Sequence, residues 1–207
     1  MKRLIEGLGK NSPSEYDAIF QARKAAGVDP MDLKRWKRLL KYYKGGKLID
    51  IGCLDSLVPQ LALEWYPRAE VWGIDVASEA IKDLQQEDPR VIYKVQDAYQ
   101  TGFPSNYFDY AVAGEILEHL DDPNAFVRES FRILKHGGIF AISVPENEAI
   151  EPGAKDAERH VWSYDTEDLK ALVSLYGTVI KTSTMGSQYL PYYIYSWPNI
   201  LMFVRKD

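Results

Sequence analysis

Glu115, Glu118 and His119 stand at positions i, i+3 and i+4, a spacing that puts their side chains on one face of a helical turn. An imidazole can take a proton from a hydroxyl near neutral pH. The chain has three histidines: His119, His136 and His160. His136 falls in the turn His136-Gly137-Gly138 and reads as a surface residue. His160 lies 41 residues beyond His119, ahead of Val161-Trp162-Ser163-Tyr164. His119 and His160 are therefore the candidate proton acceptors.

A second group is spaced for a nucleotide. The run Leu48-Ile49-Asp50-Ile51 ends in the turn Gly52-Cys53-Leu54-Asp55-Ser56. A glycine there lets a ligand approach the backbone closely. Asp75 follows Gly52 by 23 residues, at the end of Val71-Trp72-Gly73-Ile74-Asp75. A carboxylate so placed accepts hydrogen bonds from both ribose hydroxyls of an adenosine. Asp97, in Val95-Gln96-Asp97-Ala98, belongs to the same edge. It either accepts from an adenine amino group or caps its own turn.

These residues need a scaffold that brings strand ends together. Short apolar strands are expected at 47–51, 71–75, 91–95, 107–113 and 139–144. Helical spacing fills 58–66, 78–87 and 124–134 between them, and such alternation makes a parallel sheet covered on both faces. A helix over 165–176 precedes two further strands, 178–184 and 200–204, able to pair antiparallel. Ahead of the sheet lie two helices. One spans 14–26, and the next is capped by Asp29, opened by Pro30 and stopped at Gly45-Gly46. Leu33, Trp36, Leu40 and Tyr43 form its apolar stripe. The fold class is thus α/β: a doubly wound, seven-stranded, mostly parallel sheet with an antiparallel last strand. Residues 1–46 form a helical N-terminal cover and 47–207 the cofactor-binding domain.

Composition narrows the function classes. The 207 residues carry a net charge of −5, which argues against a generally basic nucleic-acid coat. One cysteine, Cys53, excludes an intrachain disulfide framework and a cysteine-rich zinc site. No apolar run reaches the ~18–20 residues of a membrane span, and Met1 to Gly7 lacks the apolar stretch of a secretory signal. No membrane partner and a cytoplasmic location are the expectation.

Taken in order, the Asp50-X-Gly52-Cys53 turn, the block Phe108-Asp109 through Glu115-X-X-Glu118-His119 and the turn Leu134-Lys135-His136-Gly137-Gly138 resemble the class I S-adenosylmethionine-dependent methyltransferases, of the group called type 11 or type 12. The resemblance covers about 47–144 well and 159–204 more loosely. It implies a Rossmann-like fold and S-adenosylmethionine as cofactor, with S-adenosylhomocysteine as product. It implies that Asp50 and Gly52 border the methionine part, Asp75 takes the ribose hydroxyls and Asp97 with Ala98 borders the adenine, with Cys53, Leu54, Val76 and Glu115 also in the cofactor site. Glu115 would lie under the reacting centre, making Glu115, His119 and His160 the candidate catalytic residues. The chain departs from the usual Gly-X-Gly-X-Gly turn by placing Leu54 and Ser56 where glycines stand. A left-handed Leu54 would cost ~1–2 kcal/mol, so either a different loop conformation or a side chain turned away from the cofactor is expected. Asp55 or Ser56 can cap the next helix.

The favoured activity is methyl transfer to a small molecule, at oxygen. Glu115, Glu118, His119 and His160 also resemble the metal site of small-RNA 3′-terminal 2′-O-methyltransferases and of quinone-biosynthesis O-methyltransferases. That resemblance implies a divalent metal bound to the acceptor hydroxyl; in the metal-free reading, which is favoured, Glu118 and His119 make structural hydrogen bonds. Lys34, Arg35, Lys37, Arg38, Lys41 and Lys44 would supply an RNA contact in the first case and a solvated helix face in the second. A third reading, from Leu54 and Ser56, is a catalytically degenerate binding module. Fourteen tyrosines are many for this length. Tyr189, Tyr192, Tyr193 and Tyr195, with Trp162 and Tyr164 as further members, are candidate substrate-wall residues.

Overall fold

The pyrrolidine of Pro30 and the Asp29 side chain, which accepts from the Met31 amide at 2.6 Å, open a helix where the sequence places one. In this computed structural model the described residues are 1–4, 11–147, 159–186 and 198–207. In chain order they form β1 (Lys2–Arg3), α1 (Pro13–Ala26), α2 (Pro30–Leu39), β2 (Lys47–Ile51), α3 (Val58–Trp65), β3 (Glu70–Asp75), α4 (Ser78–Glu87) and β4 (Ile92–Val95). Then come β5 (Phe108–Gly114), a 3-10 turn (Leu117–His119), α5 (Pro123–Ile133), β6 (Leu134–Pro145), β7 (Trp162–Ser163), α6 (Thr166–Val173), β8 (Gly177–Met185) and β9 (Asn199–Lys206).

Seven strands make one sheet in the order β4-β3-β2-β5-β6-β9-β8. Neighbours from β4 to β6 are parallel, and β9 is antiparallel to both β6 and β8. The chain builds outward from β2 in one direction and from β5 in the other. The switch point therefore lies between β2 and β5, where ligands of open α/β sheets bind beyond the carboxyl ends of the strands.

Strand alternation decides which side chains meet which helices. Leu48 packs with Trp36, Leu39, Val58 and Leu61 on the face covered by α2 and α3. Ile49 and Ile51 pack with Phe126, Phe131 and Leu169 on the α5 and α6 face. By the same alternation Asp50 points to the α2 face.

Three features differ from the sequence reading. α2 ends at Leu39 rather than at Gly45-Gly46, because Leu40, at φ −85° and ψ 4°, leaves the helical path, so Leu40 and Tyr43 of the expected stripe are buried from the turn beyond it. β6 begins at Leu134 rather than at residue 139, and its pairing with β5 shifts register between Phe108 and Tyr110. β1 and β7 form a small antiparallel sheet that the sequence reading does not contain. Two residues per strand are too few to show periodicity. The pair is held by the Leu4 amide on Val161 O at 2.8 Å, an Arg3–Asp121 ion pair at 2.9 Å, and the Arg3 guanidinium 5.2 Å from the Trp162 ring centroid. Of the tyrosine-rich stretch, residues 187–197 lie outside the described residues, so Tyr189, Tyr192, Tyr193 and Tyr195 do too. Tyr164 is not a wall residue. It is 1% exposed in the core, its hydroxyl 3.4 Å from Leu117 O.

Candidate functional site

At the switch point the chain leaves β2 through Gly52. The Gly52 and Cys53 amides both donate to Ile74 O, at 2.8 and 3.1 Å, which fixes the turn to the end of β3. Gly52 has φ +75°, and a Cβ there would come 2.5 Å from Ile116 Cδ1, so the turn presses against the segment after β5. The Cys53 side chain is buried, and its Sγ would lie 3.1 Å from a Cβ placed on Gly73. Only its backbone is left to face a ligand. Burial, reinforced by Asp75 and Asp50, pushes its thiol pKa up.

Leu54 adopts φ +24°, on the positive side that glycine would occupy without strain. Its amide donates to Asp75 Oδ2 at 3.1 Å, and the Ala77 amide donates to Oδ1 at 3.0 Å. Asp75 is thus anchored at both oxygens yet keeps lone pairs, since an ionised carboxylate has about four acceptor positions. The N-cap of α3 is Leu57, and Ser56 stands one residue before it, its Oγ accepting from the first helical amide, Val58, at 3.1 Å. Asp55 instead pairs with Arg23 of α1 at 3.0 Å.

Asp50 is 2% exposed, and its Oδ2 has no hydrogen-bond partner among the described residues. Burial pushes its pKa up to about 7, with Asp75 and Asp55 adding to the rise and a hydrogen bond from Ser56 opposing it. Asp97 is exposed at the end of β4, and its Oδ1 accepts from the Tyr99 amide at 2.7 Å. The turn cap is therefore in place there. Val76 and Ala98 are half-buried at the same edge.

Glu115 follows β5 with φ +55°. Its Oε1 accepts from Ser143 Oγ at 2.8 Å and its Oε2 from Asn199 Nδ2 at 2.6 Å, while its amide donates to Ser143 O at 3.0 Å. Arg35 Nη1 stands 3.8 Å from the same Oε2. β6, β9 and α2 thus fix this carboxylate, away from the histidines.

The structure brings Glu118, His119 and His160 together. One ligand atom from each lies within 4.8 Å of the others, and the two imidazoles are 4.6 Å apart, edge to face. His119 Nδ1 is 3.2 Å from Arg159 O, which leaves Nε2 as the free lone pair when Nδ1 carries the proton. Burial, then His160, lowers the His119 pKa to about 3, so the ring is neutral at ordinary pH. The Val161 amide donates to Glu118 O at 2.7 Å and so holds the two segments in register. Glu115 is not part of this cluster: the left-handed turn at that residue sends its side chain toward β6 and β9.

Sequence reasoning missed Asn11 and Tyr16 and put Arg35 on the wrong face. Arg35 is not on the outer basic face. Its side chain is 12% exposed and pairs with Asp32 at 2.7 Å, whereas Lys34, Lys37, Arg38, Lys41 and Lys44 are exposed. The signal was available in the helix phase, because Arg35 precedes buried Leu39 by four residues and follows Asp32 by three. Asn11 Nδ2 reaches His119 O at 3.2 Å and Arg159 O at 2.9 Å, and Tyr16 donates to Asn11 Oδ1 at 3.0 Å. Those contacts depend on tertiary position alone.

Residues 49–142 match the family model described as a methyltransferase domain. The chain is 28% identical over 118 residues to a probable S-adenosylmethionine-dependent methyltransferase of Mycolicibacterium smegmatis, covering 57% of this chain and 45% of the other. It is 33% identical over 108 residues to a ubiquinone biosynthesis O-methyltransferase of Xanthomonas oryzae pv. oryzae, covering 48% and 43%. The chain therefore spans under half the length of these curated relatives. In fold it is similar to the 1,6-didemethyltoxoflavin-N1-methyltransferase of Burkholderia thailandensis, with a TM-score of 0.72, 19% identity, and coverage of 95% of this chain and 91% of that one. Among the described residues, no helix is long and apolar enough to cross a membrane.

Proposed function

We propose that this chain is a class I S-adenosylmethionine-dependent methyltransferase that transfers a methyl group to the oxygen of a small-molecule acceptor. The observation that carries the reading is the crevice between β2 and β5. There a glycine turn, a buried acceptor atom without a partner and an anchored carboxylate converge at one sheet edge. That set fits an adenosyl amino acid. Gly52 admits the ligand against the backbone, Asp75 offers lone pairs to ribose hydroxyls, and Asp50 Oδ2 offers an acceptor to an ammonium. Bound S-adenosylmethionine supplies a methyl group on a positively charged sulfur.

The chain's own task is alignment and proton removal. Holding two reactants in line supplies much of the rate in such a displacement. Glu115, held by Ser143, Asn199 and Arg35, gives the crevice a rigid wall beside β5. His119 is neutral and can accept a hydroxyl proton at Nε2, with His160 beside it. This imidazole pair is the support for oxygen as the target, together with the O-methyltransferase among the relatives. Calorimetry with S-adenosylmethionine and S-adenosylhomocysteine, followed by methyl-transfer assays on a panel of hydroxylated acceptors, tests the reading. Saturable binding and transfer to a hydroxyl are expected. A folded protein that binds neither nucleoside removes it.

A second reading is favoured by Glu118, His119 and His160. One carboxylate and two imidazoles are donors that suit Zn²⁺, and a bound cation would acidify an acceptor hydroxyl directly. With the exposed Lys34, Lys37 and Arg38 on the outer face of α2 and Lys41 and Lys44 just beyond its end, this reading extends to RNA as acceptor. RNA binding that weakens steeply with salt supports that extension. Its absence at low salt confines the acceptor to small molecules.

A further inference from the structure

His119 can take a proton only at a ring nitrogen that carries a lone pair. In a neutral imidazole one nitrogen bears the hydrogen and the other the lone pair, and the hydrogen bond made at one decides the state of the other. His119 Nδ1 lies 3.2 Å from Arg159 O. A carbonyl oxygen has no hydrogen to give, so Nδ1 must donate and Nε2 is the bare nitrogen. The tautomer thus depends on where one backbone carbonyl points.

That carbonyl has a second donor. Asn11 Nδ2 reaches Arg159 O at 2.9 Å and His119 O at 3.2 Å. Two acceptors at one end of a carboxamide require its nitrogen there. The other end agrees, because Asn11 Oδ1 accepts from the Tyr16 hydroxyl at 3.0 Å. Tyr16 stands in α1, and its ring meets His119 edge to face with centroids 6.0 Å apart. Asn11 therefore joins the backbone of the turn that carries His119 to the backbone just before His160.

The register of these two segments has other ties. The Val161 amide donates to Glu118 O at 2.7 Å, Trp162 Nε1 to Leu120 O at 2.9 Å, and the Leu4 amide to Val161 O at 2.8 Å. Each of them acts at residue 161 or beyond. The Arg159 carbonyl, two residues earlier, is where Asn11 acts.

We propose that Asn11, oriented by Tyr16, is a positioning residue for the proton acceptor: by holding the Arg159 carbonyl on His119 Nδ1, it selects the tautomer that leaves Nε2 bare. The proposal rests on the reading of His119 as the proton acceptor, and it gives the segment before α1 a part in the chemistry. With the tautomer reversed, an acceptor hydroxyl would meet an N–H at Nε2 and could not give up its proton there.

Magnetic resonance of the ring nitrogens reads the tautomer in the chain alone, with no metal added. The isotope-labelled parent, Asn11→Leu and Tyr16→Phe are compared at neutral pH by long-range proton–nitrogen correlation. His119→Gln supplies the assignment, and thermal unfolding checks folding. The parent should show His119 with its hydrogen on Nδ1. Asn11→Leu is close in volume but lacks both donors, and should move most of the population to the Nε2–H form. Tyr16→Phe removes only the bond that orients the amide, and should move a smaller part. A folded Asn11→Leu whose His119 stays Nδ1–H overturns the proposal, and so does a parent already in the Nε2–H form. If Asn11→Leu does not fold, Asn11→Ala is judged by the same outcome.

Methyl transfer separates the proposal from the reading beneath it. A positioned base supplies about 10²–10⁴-fold, so Asn11→Leu should lower kcat about tenfold or more. A role confined to proton transfer leaves the KM for S-adenosylmethionine within about twofold of the parent's. A reversed tautomer with unchanged kcat, in a chain that needs His119, overturns the positioning role. If His119→Gln transfers methyl as fast as the parent, the proton-acceptor reading falls, and the role assigned to Asn11 falls with it.

Discussion

The Leu54 amide donates to Asp75 Oδ2 at 3.1 Å from a backbone with φ +24°, so the residue that replaces a glycine is tied to the carboxylate expected to hold ribose. The strain of that conformation is local and can be measured by substitution. Leu54→Ala and Leu54→Gly lose the same side-chain packing, but only glycine relieves the positive φ. Leu54→Gly should therefore be the more stable of the two by about 1 kcal/mol, the reverse of the usual order in regular structure. Chemical denaturation of both variants decides it. If Leu54→Ala is the more stable, the turn stores no strain at this position.

Gly52 carries two constraints at once: φ +75° and a neighbour, Ile116 Cδ1, 2.5 Å from where a Cβ would sit. Gly52→Ala should destabilise by about 1–3 kcal/mol through both. The steric part alone is separable, because the clash is with the end of a flexible side chain. Adding Ile116→Val should recover part of the loss and leave the backbone part. A double variant no more stable than Gly52→Ala would show that Ile116 already yields freely.

The sheet was legible in the sequence because each strand ends in a change of residue type. Ile51-Gly52, Ile74-Asp75 and Val144-Pro145 all lie where apolar runs stop, and β2 and α4 fall on the residues that periodicity assigns. The glycine turn and the carboxylates at the strand ends were legible for the same reason. The polar interior was not. Arg35 shares α2 with the exposed Lys34, Lys37 and Arg38, and only its phase relative to Leu39 distinguishes it. Glu115 reads as a partner of Glu118 and His119 at helical spacing. Yet its own φ of +55° breaks the helix before the 3-10 turn begins, and so separates them. Asn11, Ser143 and Asn199 come from distant segments, and no local pattern marks them.

Asp50 makes stability depend on pH in a stated direction. Burial raises its folded pKa to about 7 from an ordinary 3.8, with Asp75 and Asp55 adding to the shift; Cys53 and Tyr93 also face it. Its contribution is therefore fully present below about pH 4 and is lost as pH rises through about 7, at up to about 1.4 kcal/mol per unit. Asp50→Asn should flatten that slope and be more stable than the parent at pH 8. The ligand's ammonium favours the ionised carboxylate, so the parent's affinity for S-adenosylhomocysteine should increase with pH up to about 7. Unfolding curves and calorimetry at pH 5, 6, 7 and 8 check both. An unchanged slope in Asp50→Asn would assign the pH dependence to other groups.

The three-residue cluster also makes a prediction about metal that differs from the four-residue one read from the sequence. If Glu118, His119 and His160 form the donor set, Zn²⁺ titrated into the chain should bind with one-to-one stoichiometry. The carbonyl of Arg159 on His119 Nδ1 already supplies the outer contact that ligating imidazoles need. Loss of such an outer contact alone weakens metal about 10–100-fold, so loss of a ligand in His160→Ala should cost at least that. Glu115→Gln should leave the affinity unchanged, because that carboxylate is bound to Ser143 and Asn199 instead. Calorimetry in a non-chelating buffer reads all three proteins. Equal Zn²⁺ affinity in the parent and His160→Ala would place any bound metal elsewhere. No saturable uptake by the parent would leave proton transfer to the neutral His119 alone.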